Sequence, residues 1–134
     1  MRSILKIATA FGILAILMIG GAQAQSKIYS PERGSPERKA ILDAVRNYRR
    51  APSEVYTPTA LNVSGTWAYV AAPDPSDPDV DTSAFEYFLR KVGGRWAVAD
   101  AISHVEGTSY KAEIKRIRKR FPSLPAALVP PIIE

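Results

Sequence analysis

Two stretches of alternating residues, each folded about a glycine, most constrain what this chain can fold into. Apolar residues alternate with polar or small ones over residues 59–71, around Ser64-Gly65-Thr66, and over residues 85–102, around Gly93-Gly94. A period of two is typical of β-strands, and glycine supplies the positive φ angles that tight turns need. The pattern predicts two β-hairpins, with a three-residue loop in the first and a two-residue turn in the second.

Each turn sets a cross-strand register. In the first hairpin, Val63 is expected to pair with Trp67 and Leu61 with Tyr69. In the second, the expected pairs are Val92/Arg95, Lys91/Trp96, Leu89/Val98, Tyr87/Asp100 and Phe85/Ile102. Because strand side chains alternate between the two faces, each hairpin should present one mostly apolar face to a core.

Helical periodicity flanks the hairpins. Ser35 can cap a helix that starts at Pro36, and this helix should end near Arg50 because Pro52 disfavours helical geometry before it. A second, basic amphipathic helix is predicted over residues 110–120, with its apolar side formed by Tyr110, Ile114, Ile117 and Phe121.

The order of elements indicates an α+β domain over residues 36–121. Its simplest packing is an antiparallel sheet of about four strands with both helices on one face. Residues 25–35 are interpreted as a flexible lead-in, and residues 73–83, with three Pro and four Asp, as an acidic loop. The Pro-rich tail, residues 122–134, is expected either to lie along the domain or to be disordered.

The first 24 residues have the pattern of a secretory signal peptide. Arg2 and Lys6 precede an uncharged apolar run over residues 7–19, and Ala22-Gln23-Ala24 offers a cleavage site after Ala24. The run is short for a membrane span, so the mature chain is expected in the periplasm and not as an integral membrane protein. It has no cysteine and must be held by core packing alone.

The helix sequence Pro-Glu-Arg-Lys-Ala-Ile-Leu-Asp-Ala-Val-Arg at residues 36–46 carries a resemblance, together with Gly65-Thr66-Trp67-Ala68 and residues 93–98. Over about residues 36–103 the chain resembles a family of small uncharacterised exported proteins of proteobacteria. The resemblance implies a periplasmic location and an α+β fold distantly similar to cystatin-like or NTF2-like cones. It implies no activity and no functional residues.

Asp100 is the candidate acid of a ligand pocket. Its expected register places it on an apolar face opposite Tyr87, where a carboxylate among aromatic rings would have a raised pKa and could act as a base or bind a ligand. The alternative is a solvent-exposed hydrogen bond at the strand end. Asp100 and Tyr87 are the candidate catalytic pair, and the candidate ligand-binding residues on the sheet face are Trp67, Tyr69, Tyr87, Trp96 and Asp100.

Neither a metal nor another cofactor is expected. Asp100, His104 and Glu106 are close in sequence, but a single histidine without cysteine is a poor ligand set. The spacing of Asp77-Pro78-Asp79-Val80-Asp81 imitates a calcium loop, yet Thr82 stands where that loop needs glycine and Phe88 where it needs glutamate.

The basic helix is a candidate surface for anionic lipid headgroups or an acidic partner. The cations proposed to bind there are Lys115, Arg116, Arg118, Lys119 and Arg120. A solvated face explains the same pattern. Nucleic acid is not expected as a partner, because removal of the signal peptide leaves 16 of the 18 Lys and Arg against 13 Asp and Glu, a small basic excess.

Three functions remain open from the sequence. The first is a non-enzymatic periplasmic module that binds a small apolar ligand or an envelope protein through the sheet face. The second is a small enzyme with an Asp/Tyr pocket. The third is attachment to an anionic envelope surface through the basic helix.

Overall fold

The computed structural model describes residues 27–75, 85–103, 107 and 109–131. The elements are α1 (Pro36–Arg49), β1 (Ala60–Ser64), β2 (Trp67–Ala72), β3 (Phe85–Val92), β4 (Arg95–Ile102), α2 (Tyr110–Arg120) and a 3₁₀ turn, Ala126–Leu128. The strands form one antiparallel sheet in the order β1-β2-β3-β4. Two helices and four antiparallel strands confirm the α+β class.

Several predicted segments lie outside the described residues. They are the signal peptide with its cleavage site after Ala24, residues 76–83 of the acidic loop with the calcium-like aspartates, and the positions of His104 and Glu106.

Local capping sets the limits of α1. The Ser35 hydroxyl accepts a hydrogen bond from the Arg38 amide at 3.2 Å, and Pro36 occupies the first helical position. At the other end Arg50 adopts a left-handed conformation, with φ at 55°, and its amide bonds to carbonyls of the last turn. The helix buries Ile41, Ala44 and Val45 against the sheet.

The sheet lies between two apolar clusters. One contains α1 residues with Leu61, Val63, Ala68, Val70, Tyr87 and Leu89, and the other contains α2 and tail residues with Trp67, Tyr69, Phe88 and Ile102. The prediction that both helices share one face is therefore wrong. All six residues of β2 are buried, so each of its faces needs a covering layer.

The first hairpin turns on two residues, Gly65 and Thr66. Ser64 pairs with Trp67, Val63 with Ala68 and Leu61 with Val70, so the predicted pairs Val63/Trp67 and Leu61/Tyr69 are wrong. Gly65 has a positive φ of 59°, which a two-residue hairpin turn requires, so no third loop residue is needed. Shifting the register by one residue puts Trp67 and Tyr69 on the face opposite Leu61 and Val63.

The second hairpin turns on Gly93 and Gly94, whose φ angles are 58° and 76°. The predicted pairs Val92/Arg95, Lys91/Trp96 and Leu89/Val98 are confirmed. A β-bulge then shifts the register, so Tyr87 pairs with Ala101, Phe88 with Asp100 and Glu86 with Ile102. The predicted pairs Tyr87/Asp100 and Phe85/Ile102 are wrong because the extra residue, Ala99, reverses which face the rest of β4 presents.

The segment after α2 completes the core on that side. Leu124, Leu128 and Val129 are buried in the α2 cluster, so residues 124–129 of the Pro-rich tail lie along the domain. In the part of the chain that the structure describes, no helix is long and apolar enough to cross a membrane.

Candidate functional site

A polar cleft lies beside β1, the edge strand of the sheet. Its volume is about 470 Å³, within the roughly 300–1,000 Å³ typical of ligand sites. The cleft lies between the segment that precedes α1 and the segment that leads into β1. Its lining residues are Ser30, Pro31, Arg33, Arg38, Pro58, Thr59, Ala60, Leu61 and Asn62.

A single backbone bridge closes one end of this cleft. The amide of Tyr29 donates to the Val63 carbonyl at 3.0 Å, and the amide of Val63 donates to the Tyr29 carbonyl at 2.7 Å. The Tyr29 hydroxyl also donates to Glu37 at 2.7 Å. The segment before α1 is therefore anchored both to β1 and to the helix.

Proline prevents this bridge from continuing along β1. In antiparallel register with Tyr29 and Val63, the residue opposite Leu61 would be Pro31, which has no amide hydrogen to donate. The Pro31 carbonyl instead accepts a hydrogen bond from Arg38 Nη1 at 3.2 Å. The outer edge of β1 is thus paired at Val63 and no further among the described residues.

The backbone of Leu61 is directed to the same side of β1, but it is covered there, since Leu61 is 3 % exposed and Pro31 is buried. Residues two apart in a strand direct their amide and carbonyl to the same side, and those of Val63 point outward to Tyr29. Beyond Leu61, the amide of Thr59 turns inward to the Ala71 carbonyl at 2.8 Å. The main chain of Leu61 is consequently almost fully shielded from solvent by the segment before α1.

The charge of the cleft is positive. Arg33 and Arg38 line it, and no Asp or Glu of the described residues is among its lining residues. Within the described ranges, Arg33 has neither a hydrogen bond nor an ion pair, whereas Arg38 keeps its bond to Pro31. Guanidinium groups bind carboxylate and phosphate through paired, charge-assisted hydrogen bonds, so this arrangement favours an anionic ligand.

The aromatic residues predicted to bind a ligand lie apart, in the two core clusters. Trp67 is buried on the α2 side, where its ring packs edge to face against Phe121 with 5.3 Å between the ring centroids. Tyr69 lies in the same cluster. Tyr87 is buried on the α1 side, and Trp96 packs against that cluster with partial exposure. The structure does not bring these four side chains into one pocket.

Asp100 lies on the α2 side, away from Tyr87. Arg116 donates two hydrogen bonds to its carboxylate, of 2.7 and 3.1 Å, and Arg120 donates a third of 3.0 Å. Burial raises the pKa of Asp100, but the hydrogen bonds from Arg116, the Ala101 amide and Arg120 outweigh it and hold the pKa below its usual value. Asp100 therefore holds α2 in place, and its carboxylate is poorly suited to act as a base.

Tyr87 belongs to a polar network at the end of α1. Its hydroxyl accepts a hydrogen bond from Arg49 at 3.2 Å, and Arg49 also pairs with Glu54 at 2.9 Å and with Asp74 at 3.5 Å. The Tyr56 hydroxyl donates to the same Glu54 carboxylate. Burial raises the pKa of Tyr87, so its hydroxyl stays protonated. The network fastens the loop after α1 to the sheet.

Glu86 is a buried carboxylate that sequence patterns did not single out. It is 5 % exposed, and its Oε1 accepts hydrogen bonds from the hydroxyls of Tyr69 at 2.5 Å and Tyr110 at 2.8 Å. Burial, reinforced by the bond to Glu86, raises the pKa of both tyrosines. The contact joins β2, β3 and the start of α2, so it serves the docking of that helix.

The basic helix divides its cations between two sides. Arg116 and Arg120 face Asp100, and Arg116 also bonds to Glu113 at 2.8 Å. The other candidate surface residues, Lys115, Arg118 and Lys119, are exposed and form no ion pair among the described residues. The second group carries the charges of this set that no described carboxylate neutralises.

The described residues contain no group of three or more His, Cys, Asp or Glu that could hold a metal. Sequence patterns also missed Arg33 and Arg38 as site residues. The available signal was the pair Ile28-Tyr29 followed by Ser30-Pro31, which is the pattern of a short edge strand interrupted by proline. The partner of that strand, β1, is distant in sequence and could not be identified locally.

No family model, curated protein or solved structure matches this chain. The resemblance to small exported proteins of proteobacteria and to cystatin-like or NTF2-like cones therefore stays a prediction.

Proposed function

We propose that this chain is an exported, non-enzymatic binding module whose binding surface is the cleft beside β1. The observation that carries the proposal is the presence of two arginines, Arg33 and Arg38, in a cleft that no described carboxylate lines. The covering of both sheet faces by core clusters supports a site at the sheet edge over one on a sheet face.

The arginines favour an anionic ligand. A guanidinium that is not paired with a carboxylate has its hydrogen-bond donors available to bind one. Arg38 is also oriented by its bond to Pro31, which reduces the conformational freedom lost when a ligand binds. The cleft should therefore bind carboxylate or phosphate groups, and it should bind neutral or basic analogues far more weakly.

Isothermal titration calorimetry at fixed ionic strength tests this function. The purified protein should release heat with succinate or inorganic phosphate, and the signal should be lost in the double variant Arg33→Gln, Arg38→Gln. Arg95→Gln is the matched control, because Arg95 is exposed at the Gly93-Gly94 turn and has no ion pair among the described residues. Equal binding by the double variant and the control contradicts the proposed site.

The proposed location rests on the signal-peptide pattern of residues 1–24. Expression of the full chain in a Gram-negative host, followed by fractionation and N-terminal sequencing, should yield a periplasmic protein that begins at Gln25. Recovery of the intact chain from the cytoplasm would contradict export.

A second candidate function is attachment to an anionic envelope surface through α2. It is favoured by Lys115, Arg118 and Lys119, which are exposed and not neutralised by carboxylates among the described residues. A cation near an anionic membrane contributes about 1 kcal/mol. Vesicles containing phosphatidylglycerol should sediment the protein, whereas vesicles of phosphatidylcholine should not.

Charge reversal separates this function from the folding role of the helix. The triple variant Lys115→Glu, Arg118→Glu, Lys119→Glu should abolish vesicle binding without loss of fold. Its control is the triple Lys27→Glu, Arg50→Glu, Arg95→Glu, which makes the same change in net charge at exposed positions elsewhere. Loss of binding in both triples would show a response to net charge alone and would contradict a specific α2 surface.

A further inference from the structure

Two neutral polar side chains lie side by side in the same cleft as the arginines. The bridge between Tyr29 and Val63 sets an antiparallel register in which Ser30 stands opposite Asn62. Side chains directly opposite in such a pair share one face, with about 5 Å between their Cβ atoms. Both residues line the cleft, where Ser30 is exposed and Asn62 half-buried, and neither side chain has a hydrogen bond to another described residue. Their polar groups are therefore accessible to a ligand.

A ligand hydroxyl can satisfy both of these side chains. The Asn62 amide has two donors and an acceptor, and the Ser30 hydroxyl both donates and accepts. A hydroxyl of the ligand also donates and accepts, whereas an ionised carboxylate only accepts. The remaining lining includes small apolar surfaces at Pro58 and Ala60, and no aromatic ring among the described residues. It suits a saturated ring with hydroxyls better than a nucleobase, which proteins commonly hold by stacking on an aromatic side chain.

We propose that the ligand is an acidic sugar, a saturated ring that carries hydroxyls and one carboxylate or phosphate. Its acid group pairs with Arg33 and Arg38. Its hydroxyls exchange hydrogen bonds with Ser30 and Asn62. The cleft volume of about 470 Å³ is well above that of an isolated carboxylate or phosphate, so a ring fits beside the acid group. This inference rests on the proposed function, since it names the ligand class of the same cleft.

The acid group has two sources, the carboxylate of a uronate or the phosphate of a sugar phosphate. Both present oxygens to a guanidinium in the same paired geometry, so the shared chemistry carries the inference. Glucuronate and glucose 6-phosphate distinguish the two sources. Cyclohexanecarboxylate and cyclohexyl phosphate are the matched control ligands, because they keep the ring and the acid group and lack the hydroxyls.

Calorimetric titration of these ligands at fixed ionic strength tests the inference. At least one acidic sugar should bind the wild-type protein about fivefold or more tightly than its matched control ligand, as expected for hydrogen bonds to the hydroxyls. Glucose, which has no acid group, should bind at least about tenfold more weakly than that acidic sugar. Because these comparisons leave the protein unaltered, a folding defect cannot account for them.

Two single variants locate the contacts to the hydroxyls. Asn62→Ala should weaken binding of the acidic sugar about fivefold and Ser30→Ala about threefold, because each removes hydrogen bonds to the ring. Neither should change the affinity for succinate, which has no hydroxyl, and unchanged succinate binding also shows that the variant is folded. Arg95→Gln should leave the binding of both ligands unchanged.

The failures are distinguishable. If succinate and phosphate bind in an Arg33-dependent way but the acidic sugars bind no more tightly than their matched control ligands, the sugar inference is overturned while the anion-binding function stands. Variants Asn62→Ala and Ser30→Ala that keep the wild-type ratio of sugar to succinate affinity would overturn it as well. If neither anions nor sugars show binding that depends on Arg33 and Arg38, both proposals fail.

Discussion

Arginines of this domain occupy two contrasting environments, the α2 side of the sheet and the cleft beside β1. Arg116 and Arg120 converge on a single carboxylate, Asp100, whose side chain is 10 % exposed. Among the described residues, no carboxylate lines the cleft that holds Arg33, and the Arg38 side chain binds a backbone carbonyl there. Basic charge that the fold has already neutralised is not available to a ligand, so the two groups of arginines differ in what they can bind.

The two regions also differ in how their polar groups are used. On the α2 side, Glu86 and Asp100 fasten the helix by accepting bonds from tyrosines and arginines. Beside β1, Arg33 is exposed and has no partner among the described residues. One region uses charged groups to close the fold, and the other leaves a charged group available at the surface.

The largest expected effect on stability is that of Asp100→Asn. The substitution keeps the size of the side chain but removes the charge that holds Arg116 and Arg120, so the free energy of unfolding should fall by about 1.5 kcal/mol. Urea denaturation at pH 7 measures this value. Succinate binding in the cleft should be unaffected, and a loss of both properties would contradict the separation of the two regions.

The pH dependence of the unfolding free energy tests whether the ionised Asp100 carboxylate is the stabilising group. The folded state holds the pKa of Asp100 below its usual value, so the carboxylate contributes stability above its unfolded pKa of about 3.9, and this contribution is lost as pH falls through the folded pKa. The difference in unfolding free energy between wild type and Asp100→Asn should be full at pH 6 and should shrink below about pH 4. A difference that persists at pH 2 would contradict a role for the ionised carboxylate.

The smallest expected effect on stability is that of Arg33→Gln. Arg33 is exposed and has no partner among the described residues, so the free energy of unfolding should change by less than about 0.5 kcal/mol. Urea denaturation beside Asp100→Asn gives a direct comparison. A loss comparable to that of Asp100→Asn would place Arg33 among the structural arginines.

The parts of the fold that were predictable from sequence are those fixed by local chemistry. Glycine at both positions of the Gly93-Gly94 turn allows positive φ angles, and this set three cross-strand pairs correctly. The bulge at Ala99 has no such signal, because alanine is compatible with regular and bulged strands alike. That single residue reversed the side to which Asp100 points.

The first hairpin was harder to predict for a different reason. Residues of β2 are apolar on both faces, so alternation does not choose between a two-residue and a three-residue loop. Ser64 is compatible with either and proved to be a buried strand residue.

The cleft could not be predicted because it depends on a non-local pairing. Tyr29 and Val63 are separated in sequence by α1 and the loop that follows it, and no local pattern indicates their contact. What the sequence does contain is Pro31, whose missing amide explains why the pairing stops.

The most direct test of the contrast between the two arginine environments is an NMR titration that follows the Nε–H signals of individual arginine side chains, assigned by single substitution. With succinate, the signals of Arg33 and Arg38 should shift and saturate together, while those of Arg116 and Arg120 stay in place. Shifts confined to Arg116 and Arg120, with Arg33 unchanged, would contradict a binding site in the cleft.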